Sequence, residues 1–164
     1  MKYSIIIPTL NEELTLTTNM RYLQELKKKL GAEIIIVDGR SNDNSKEISK
    51  SLTDKVYDSG PSRSLQLNEG VTHASGEYYI FLHVDTILDN NAISSILNIC
   101  DNFEWGFFQI KLDRKDLKYS FLAYCINLRS KLFNYCTGDQ VLIVRKSFFH
   151  RLNGFKEIEL MEDI

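Results

Sequence analysis

The sequence predicts one α/β domain, a mainly parallel sheet flanked by helices. Three observations carry that class. Short runs rich in β-branched and aromatic residues alternate with segments of helical period along the chain. One run, residues 78–82 (YYIFL), is apolar throughout, the pattern of a strand covered on both faces. The 164 residues, 43% hydrophobic and 26% charged, suffice for about one domain with its own core, and no repeat, low-complexity tract or linker divides them.

The elements follow in order. Residues 3–7 form a β-branched run that Pro8 is expected to stop. Asn11 is expected to cap a helix with Glu12 and Glu13 in its first turn, Leu16, Met20, Leu23, Leu26 and Leu30 on one face, and Gly31 at its end. Residues 34–37 give a second strand, closed by Asp38-Gly39. A short helix is predicted over 45–51, a third strand over 55–57 and a helix over 62–74, stopped by Ser75-Gly76. After the 78–82 strand come a helix over 92–100 and a strand over 105–112. Residues 117–135 show the clearest helical period, with Leu117, Phe121, Tyr124, Cys125, Leu128 and Leu132 sharing a face. A last short strand is predicted over 141–144.

Charge narrows the partners. Twenty basic against 22 acidic residues give a net charge of −2, and no Lys/Arg block suggests nucleic acid. The one cationic run, Lys27-Lys28-Lys29, falls where a helix ends and cations suit the carbonyl end. Cys100, Cys125 and Cys136 match no zinc or redox spacing, so a reducing, cytoplasmic compartment is expected. The apolar run at the start is too short for a signal peptide, and no stretch approaches the ~20 apolar residues of a membrane span.

In parallel α/β sheets ligands lie beyond the carboxyl ends of the strands. Three predicted strand ends carry carboxylates: Glu12 after the first, Asp38 after the second, Asp85 after the central one. A carboxylate just past a buried strand is costly without a partner, and a divalent cation is one such partner; Asp85 equally suits a turn or a cap for the helix beginning near Asp89. Asp38-Gly39 alone reads as a turn, His83 as a satisfied histidine, and Ser62 as an N-cap with Arg63 solvated, although Arg63 and nearby backbone N–H groups can also receive a phosphate. Gly138-Asp139 alone reads as a turn, and the closing Glu162-Asp163 as a solvated acidic tail.

Taken together and in order, "SIIIPTLNEE", "EIIIVDGRSNDNS", "PSRSLQLNEG", "GEYYIFLHVDT", "GDQVLIVRK" and "GFKEIELMEDI" resemble the family 2 glycosyltransferases, most closely the bacterial arsenosugar-biosynthesis-type subgroup. The resemblance implies a GT-A fold in a single domain. A Rossmann-like nucleotide-binding half (about residues 1–86) and the start of an acceptor half (about 87–164) share one sheet, and the C-terminal part of the domain is expected to be missing. It implies inverting transfer of a sugar from a nucleotide-sugar to an acceptor hydroxyl, with Mn²⁺ or Mg²⁺ bridging the diphosphate. Carried over by position, Pro8, Leu10, Glu12 and Asp38 meet the nucleoside, Arg63 the diphosphate, and Asp85 the metal. His83 stands where the wider family has an acid, as in the subgroup. Asp163 is the base, paired with Glu162, and Asp139 is placed toward the acceptor.

Two further expectations follow from that resemblance. The isolated chain is expected to bind nucleotide while transferring weakly or not at all, because the elements that steady the base are absent. The aromatic helix over 117–135 is expected to leave an apolar surface for self-association or a partner. Two other classes stay open: a nucleotide-binding or assembly module without catalysis, and a phosphate-signalling domain with Asp38 as acceptor. The latter leaves Asp85, Arg63 and Glu162-Asp163 without roles.

Overall fold

The structure is a computed structural model that describes residues 1–112, 116–133, 136–137 and 140–156. Twelve elements run in the order β1 (Tyr3–Thr9), α1 (Glu13–Leu30), β2 (Glu33–Asp38), α2 (Ser45–Leu52), β3 (Val56–Asp58), α3 (Arg63–Thr72), β4 (Tyr78–Phe81), α4 (Asn90–Leu97), β5 (Trp105–Phe107), α5 (Leu117–Phe133), β6 (Leu142–Arg145) and α6 (Lys146–Arg151). They build a six-stranded sheet in the order β3-β2-β1-β4-β6-β5. The first three junctions are parallel and the two involving β6 are antiparallel, so the sheet is mixed toward its β5 edge.

The strands at the centre are apolar throughout because both faces are covered. Ile5, Ile7, Ile34, Ile36 and Ile80 face α1 and α4, whose Leu16, Leu23, Leu26, Ile93 and Ile96 join them in one buried cluster. Ile6, Ile35, Val37, Tyr79 and Phe81 face the other way and pack with Leu67 and Val71 of α3 and Phe149 of α6. Alternate residues of one strand therefore serve two cores, which removes the polar positions a half-exposed strand would show.

Several boundaries differ from expectation for identifiable reasons. Pro8 does not stop β1; it pairs in register with Val37. Its missing N–H lies on the β4 side of β1, where the ladder ends with the Leu82 N–H on the Ile6 carbonyl at 3.1 Å, so the pairing with β2 continues undisturbed. Asn11 is not the cap of α1 but a left-handed turn residue at φ 55°, and the helix starts at Glu13 after Glu12. Gly31 does end α1, in the left-handed conformation at φ 57° and ψ 34°. The N–H groups of Gly31 and Ala32 then return to the carbonyls of Lys28 and Lys27 at 3.3 and 3.0 Å. The strand expected over 105–112 is paired only over Trp105–Phe107. Helix α6 was not anticipated; six residues give too short a periodic signal.

At the amino ends of the strands, Glu33 ties the sheet together. It is 6% exposed, accepts from the Ser4 hydroxyl at 2.5 Å and from the Ser75 N–H and hydroxyl at 2.7 Å each, and pairs with Lys55. Burial pushes its carboxyl up, but Lys55 first, then Ser4 and Ser75, overcome this and hold it at about 2.

Helix α5 reverses an expectation about amphipathic helices. The residues expected to share a face do so, but that face is outside, and Leu122 and Phe133 on another side of the helix are exposed as well. Leu117 is 89% exposed, Phe121 68%, Tyr124 61% and Leu132 66%, while the buried residues are Ala123 and Ser130.

Candidate functional site

The carboxyl ends of β1, β2 and β4 open on one edge, together with the start of α3, because these strands are parallel neighbours. Of the residues singled out in the sequence, the structure brings Pro8, Leu10, Glu12, Asp38, Arg63, His83 and Asp85 to this edge. Asp139, Glu162 and Asp163 lie outside the described residues.

Asp38, in register with Thr9 of β1, is 2% exposed. After it Gly39 and Arg40 turn sharply, Arg40 taking a left-handed φ of 69°. A non-glycine residue there costs on the order of 1 kcal/mol, and the turn swings the Ser41 N–H back. That N–H donates to Asp38 Oδ2 at 2.8 Å. The other oxygen, Oδ1, is buried and receives no hydrogen bond. A buried acceptor left unmade typically costs ~1–3 kcal/mol, so this oxygen is poised for a donor from outside.

Gln66 was not singled out by sequence reasoning, yet it forms the floor beneath Asp38. Its amide, 3% exposed, donates to the Thr9 carbonyl at 2.8 Å and the Val37 carbonyl at 3.3 Å, strapping α3 to both strand ends. A Cβ on Gly39 would stand 2.4 Å from Gln66 Nε2 and 3.4 Å from Pro61 Cα, so the backbone passes where no side chain fits. The available signal was a glutamine on the face of α3 that also carries Leu67 and Gly70, a polar residue at a core position.

The loops after β1 and β2 are locked to each other. The Asn11 N–H donates to Ser41 Oγ at 2.9 Å and the Asn42 N–H to Asn11 Oδ1 at 2.8 Å. The Glu12 N–H donates to Ser45 Oγ at 2.7 Å and the Glu13 N–H to Asp43 Oδ2 at 3.1 Å. Helix α1 is thus capped from the neighbouring loop, not by its own Glu12. The Ser45 hydroxyl, with the N–H groups of Ser45 and Glu13, holds the Asp43 carboxyl below its usual range against a smaller opposing effect of desolvation. Leu10 is exposed and Pro8 and Glu12 are half-buried, so the locked loops present side chains to solvent.

After β4, Val84 is buried and its carbonyl accepts from Asn19 Nδ2 of α1 at 2.9 Å. The Thr86 N–H closes a turn on the His83 carbonyl at 3.1 Å. Asp85 is exposed and accepts from Thr86 Oγ1 at 3.2 Å. The burial argument for Asp85 therefore fails. The capping alternative fails too, since Asp89 caps α4 by accepting from the Ala92 N–H at 2.8 Å. An exposed carboxylate at the mouth of the edge still suits a hard cation that takes most of its oxygens from a diphosphate and water. Among the described residues no group of three or more His, Cys, Asp or Glu is placed to hold an ion without such help.

His83 is half-buried and lines a hollow of about 20 Å³ with Leu67, Phe81, Cys136, Leu142 and Phe155, room for about one water. Anything larger must lie across the open edge. Arg63, the first residue of α3, is exposed there at the helix start, whose first-turn N–H groups have no partner within the helix. The Ser62 hydroxyl does not cap the helix; it stands 2.9 Å from Ser64 Oγ.

The mixed sheet in the order β3-β2-β1-β4-β6-β5, flanked by helices, is a GT-A fold, and solved structures share it. S. aureus TarS in complex with UDP-GlcNAc superposes with a TM-score of 0.75 at 20% identity, over 99% of this chain and 51% of that one. The Pyrobaculum calidifontis mannosyltransferase PcManGT, in complex with GDP-Man and Mn²⁺, gives 0.69 at 18% identity, over 99% and 49%. The glycosyl transferase family 2 model matches residues 4–123, and the chain belongs to that family. A curated relative, the GalNAc(5)-diNAcBac-PP-undecaprenol beta-1,3-glucosyltransferase of Campylobacter jejuni, is 31% identical over 106 residues, 58% of this chain and 33% of the relative. The chain thus spans about a third of that relative and about half of these solved structures.

Proposed function

We propose that this chain binds a nucleotide-sugar on the edge formed by β1, β2, β4 and α3 and serves transfer of its sugar to an acceptor hydroxyl. The observation that carries the reading is Asp38: a carboxylate 2% exposed, with one oxygen satisfied by Ser41 and the other without a donor. A nucleoside supplies such donors, as base N–H or ribose O–H. Pro8, Leu10 and Glu12 flank the same opening and complete the nucleoside contact. The sugar and diphosphate then extend toward His83 and Asp85, with Arg63 and the start of α3 meeting phosphate oxygens. Residues 1–86 carry this donor recognition and later residues begin the acceptor side.

The chemistry follows from the leaving group. Cleaving the sugar–phosphate bond leaves negative charge on a nucleoside diphosphate. Arg63 and the α3 N–H groups stabilise that charge where it grows. Mn²⁺ or Mg²⁺ held by Asp85 would neutralise part of it. The acceptor hydroxyl must lose a proton as it attacks, and the resemblance assigns that to Asp163 with Glu162 beside it and Asp139 toward the acceptor. One displacement from the opposite face inverts the anomeric carbon. His83 in the "HVDT" motif supports the arsenosugar-type subgroup. Three cysteines outside any disulfide, two of them exposed, suit a reducing cytoplasmic compartment.

A titration calorimetry panel of UDP, GDP and their sugar conjugates, with and without Mn²⁺, tests the donor site. Saturable binding of at least one nucleotide is expected. No heat and no thermal shift from any of them at millimolar concentration overturns the reading.

A further inference from the structure

Helix α1 is fastened to both loops that frame the candidate site. At its start the N–H groups of Glu12 and Glu13 donate to Ser45 Oγ at 2.7 Å and Asp43 Oδ2 at 3.1 Å, which ties it to the loop after Asp38. Almost two turns on, Asn19 and Tyr22 reach the segment after β4. Asn19 Nδ2 donates to the Val84 carbonyl at 2.9 Å. The Tyr22 hydroxyl accepts from the Leu88 N–H at 2.6 Å and lies 3.4 Å from the Leu88 carbonyl. Their spacing along α1 puts both side chains on one face of the helix. Both are half-buried, and Val84 and Leu88 are buried in the core that Tyr22 packs against.

These bonds bear most on the residue between them. Asp85 is exposed, so packing does not hold its carboxylate, and its place depends on the backbone of the loop. A peptide unit is planar, so a fixed Val84 carbonyl fixes the plane that carries the Asp85 N–H. The Thr86 N–H on the His83 carbonyl, at 3.1 Å, closes the turn around the same peptide, and Tyr22 holds the far end at Leu88. The loop therefore has a pinned entry and a pinned exit, with Asp85 between them. At ~1.5 Å per residue, the stretch from Glu13 to Asn19 runs about 9 Å along the helix. Helix α1 thus acts as a rigid spacer between the Asp38 loop and the Asp85 turn.

We infer that Asn19 and Tyr22 are positioning residues for the cation site: from α1 they pin the turn that presents Asp85 to a divalent ion on the diphosphate. Each acts through the backbone beside Asp85 and not by contact with the ion. The inference rests on the donor reading, in which Asp85 holds Mn²⁺ or Mg²⁺, and adds what places that carboxylate. Outer groups that orient a metal ligand commonly account for about 10–100-fold in metal affinity. The need is acute here, because an exposed carboxylate that shares its ion with a diphosphate and water must meet a ligand set it does not itself enclose.

The test is the gain in UDP affinity that Mn²⁺ gives the full 164-residue chain, read by calorimetry with and without the ion. Asn19→Leu and Tyr22→Phe should each lose most of that gain and keep the wild-type affinity for UDP without metal. In an Asp85→Ala background the same substitutions should take nothing further from it, a coupling that general destabilisation would not produce. Lys29→Ala, which removes a contact of α1 with Asn90 beyond the turn, should leave the gain intact. A wild-type gain in both Asn19→Leu and Tyr22→Phe overturns the inference and leaves the donor reading standing. So does a matching loss of UDP affinity without metal in these variants, which would make the two residues parts of the fold alone. UDP binding to the wild type that Mn²⁺ does not strengthen removes the cation from Asp85 and overturns the inference while the nucleotide site stands. No UDP binding under either condition overturns the donor reading and the inference with it.

Discussion

Gln66 Nε2 lies 2.8 Å from the carbonyl oxygen of Thr9, which also accepts from the Gly39 N–H at 2.8 Å, so a helix side chain adds a second bond at the end of strand β1. The same amide reaches Val37 at 3.3 Å. One residue of α3 therefore sets the separation of β1 and β2 where Asp38 emerges. Gln66→Leu should remove this second donor and cost about 0.5–1.5 kcal/mol in urea unfolding, because the Thr9 carbonyl keeps the Gly39 N–H. Gly39→Ala should destabilise as well, because its Cβ would stand 2.4 Å from Gln66 Nε2. Combining the two should cost less than the sum, since removing the amide relieves the clash. Simple additivity would show that Gly39 and Gln66 are not in contact.

Asp38 separates a binding role from a folding role. Asp38→Asn keeps an oxygen for the Ser41 N–H and turns the orphaned position into a donor. Stability should change little, while nucleotide affinity measured by calorimetry should fall at least tenfold, about 1.4 kcal/mol. Unchanged affinity would remove Asp38 from the donor site.

The sequence showed the strand ends because the parallel sheet is buried on both faces, so Ile34, Ile35 and Ile36 stand as an unbroken run and the residue after it is conspicuous. Asp38, His83 and Asp85 were legible on that rule. Gln66 was not, because its role depends on two carbonyls some 29 and 57 residues away in sequence. Asp85 was found for an incomplete reason: the strand-end rule located it, but the turn after Val84 leaves it exposed rather than buried. For α5, period told which residues share a face and could not tell which way that face turns. The orientation is set by Asn127 and Ser130, whose hydrogen bonds to Ile110 and Gln140 anchor the polar side inward.

Glu33 makes stability depend on acid. Its carboxyl is held at about 2 in the folded protein, against 4.5 as the ordinary value. A group lowered on folding stabilises fully above its unfolded value and loses that contribution as pH falls toward the folded one. The unfolding free energy should therefore drop between about pH 5 and pH 2, with Glu33 responsible for about 2–3 kcal/mol. Glu33→Gln should flatten that part of the profile while lowering stability at neutral pH, where Lys55 would lose its partner. A wild-type profile level from pH 5 to pH 2 would contradict the network around Glu33.

Asp85 and Arg63 make separable demands on a ligand. Asp85 is exposed, and its removal leaves no buried group stranded, so Asp85→Ala should keep the wild-type melting temperature without ligand. With UDP, Mn²⁺ should raise the melting temperature of the wild type further than UDP alone, and Asp85→Ala should lose only that metal-dependent increment. If Arg63 meets the diphosphate as proposed, Arg63→Ala should weaken UDP while leaving uridine unaffected. Asp38→Asn should weaken both. A pattern in which Asp85→Ala also weakened uridine, or Arg63→Ala weakened uridine as much as UDP, would mean that nucleoside and diphosphate do not run from Asp38 toward Asp85 along the sheet edge.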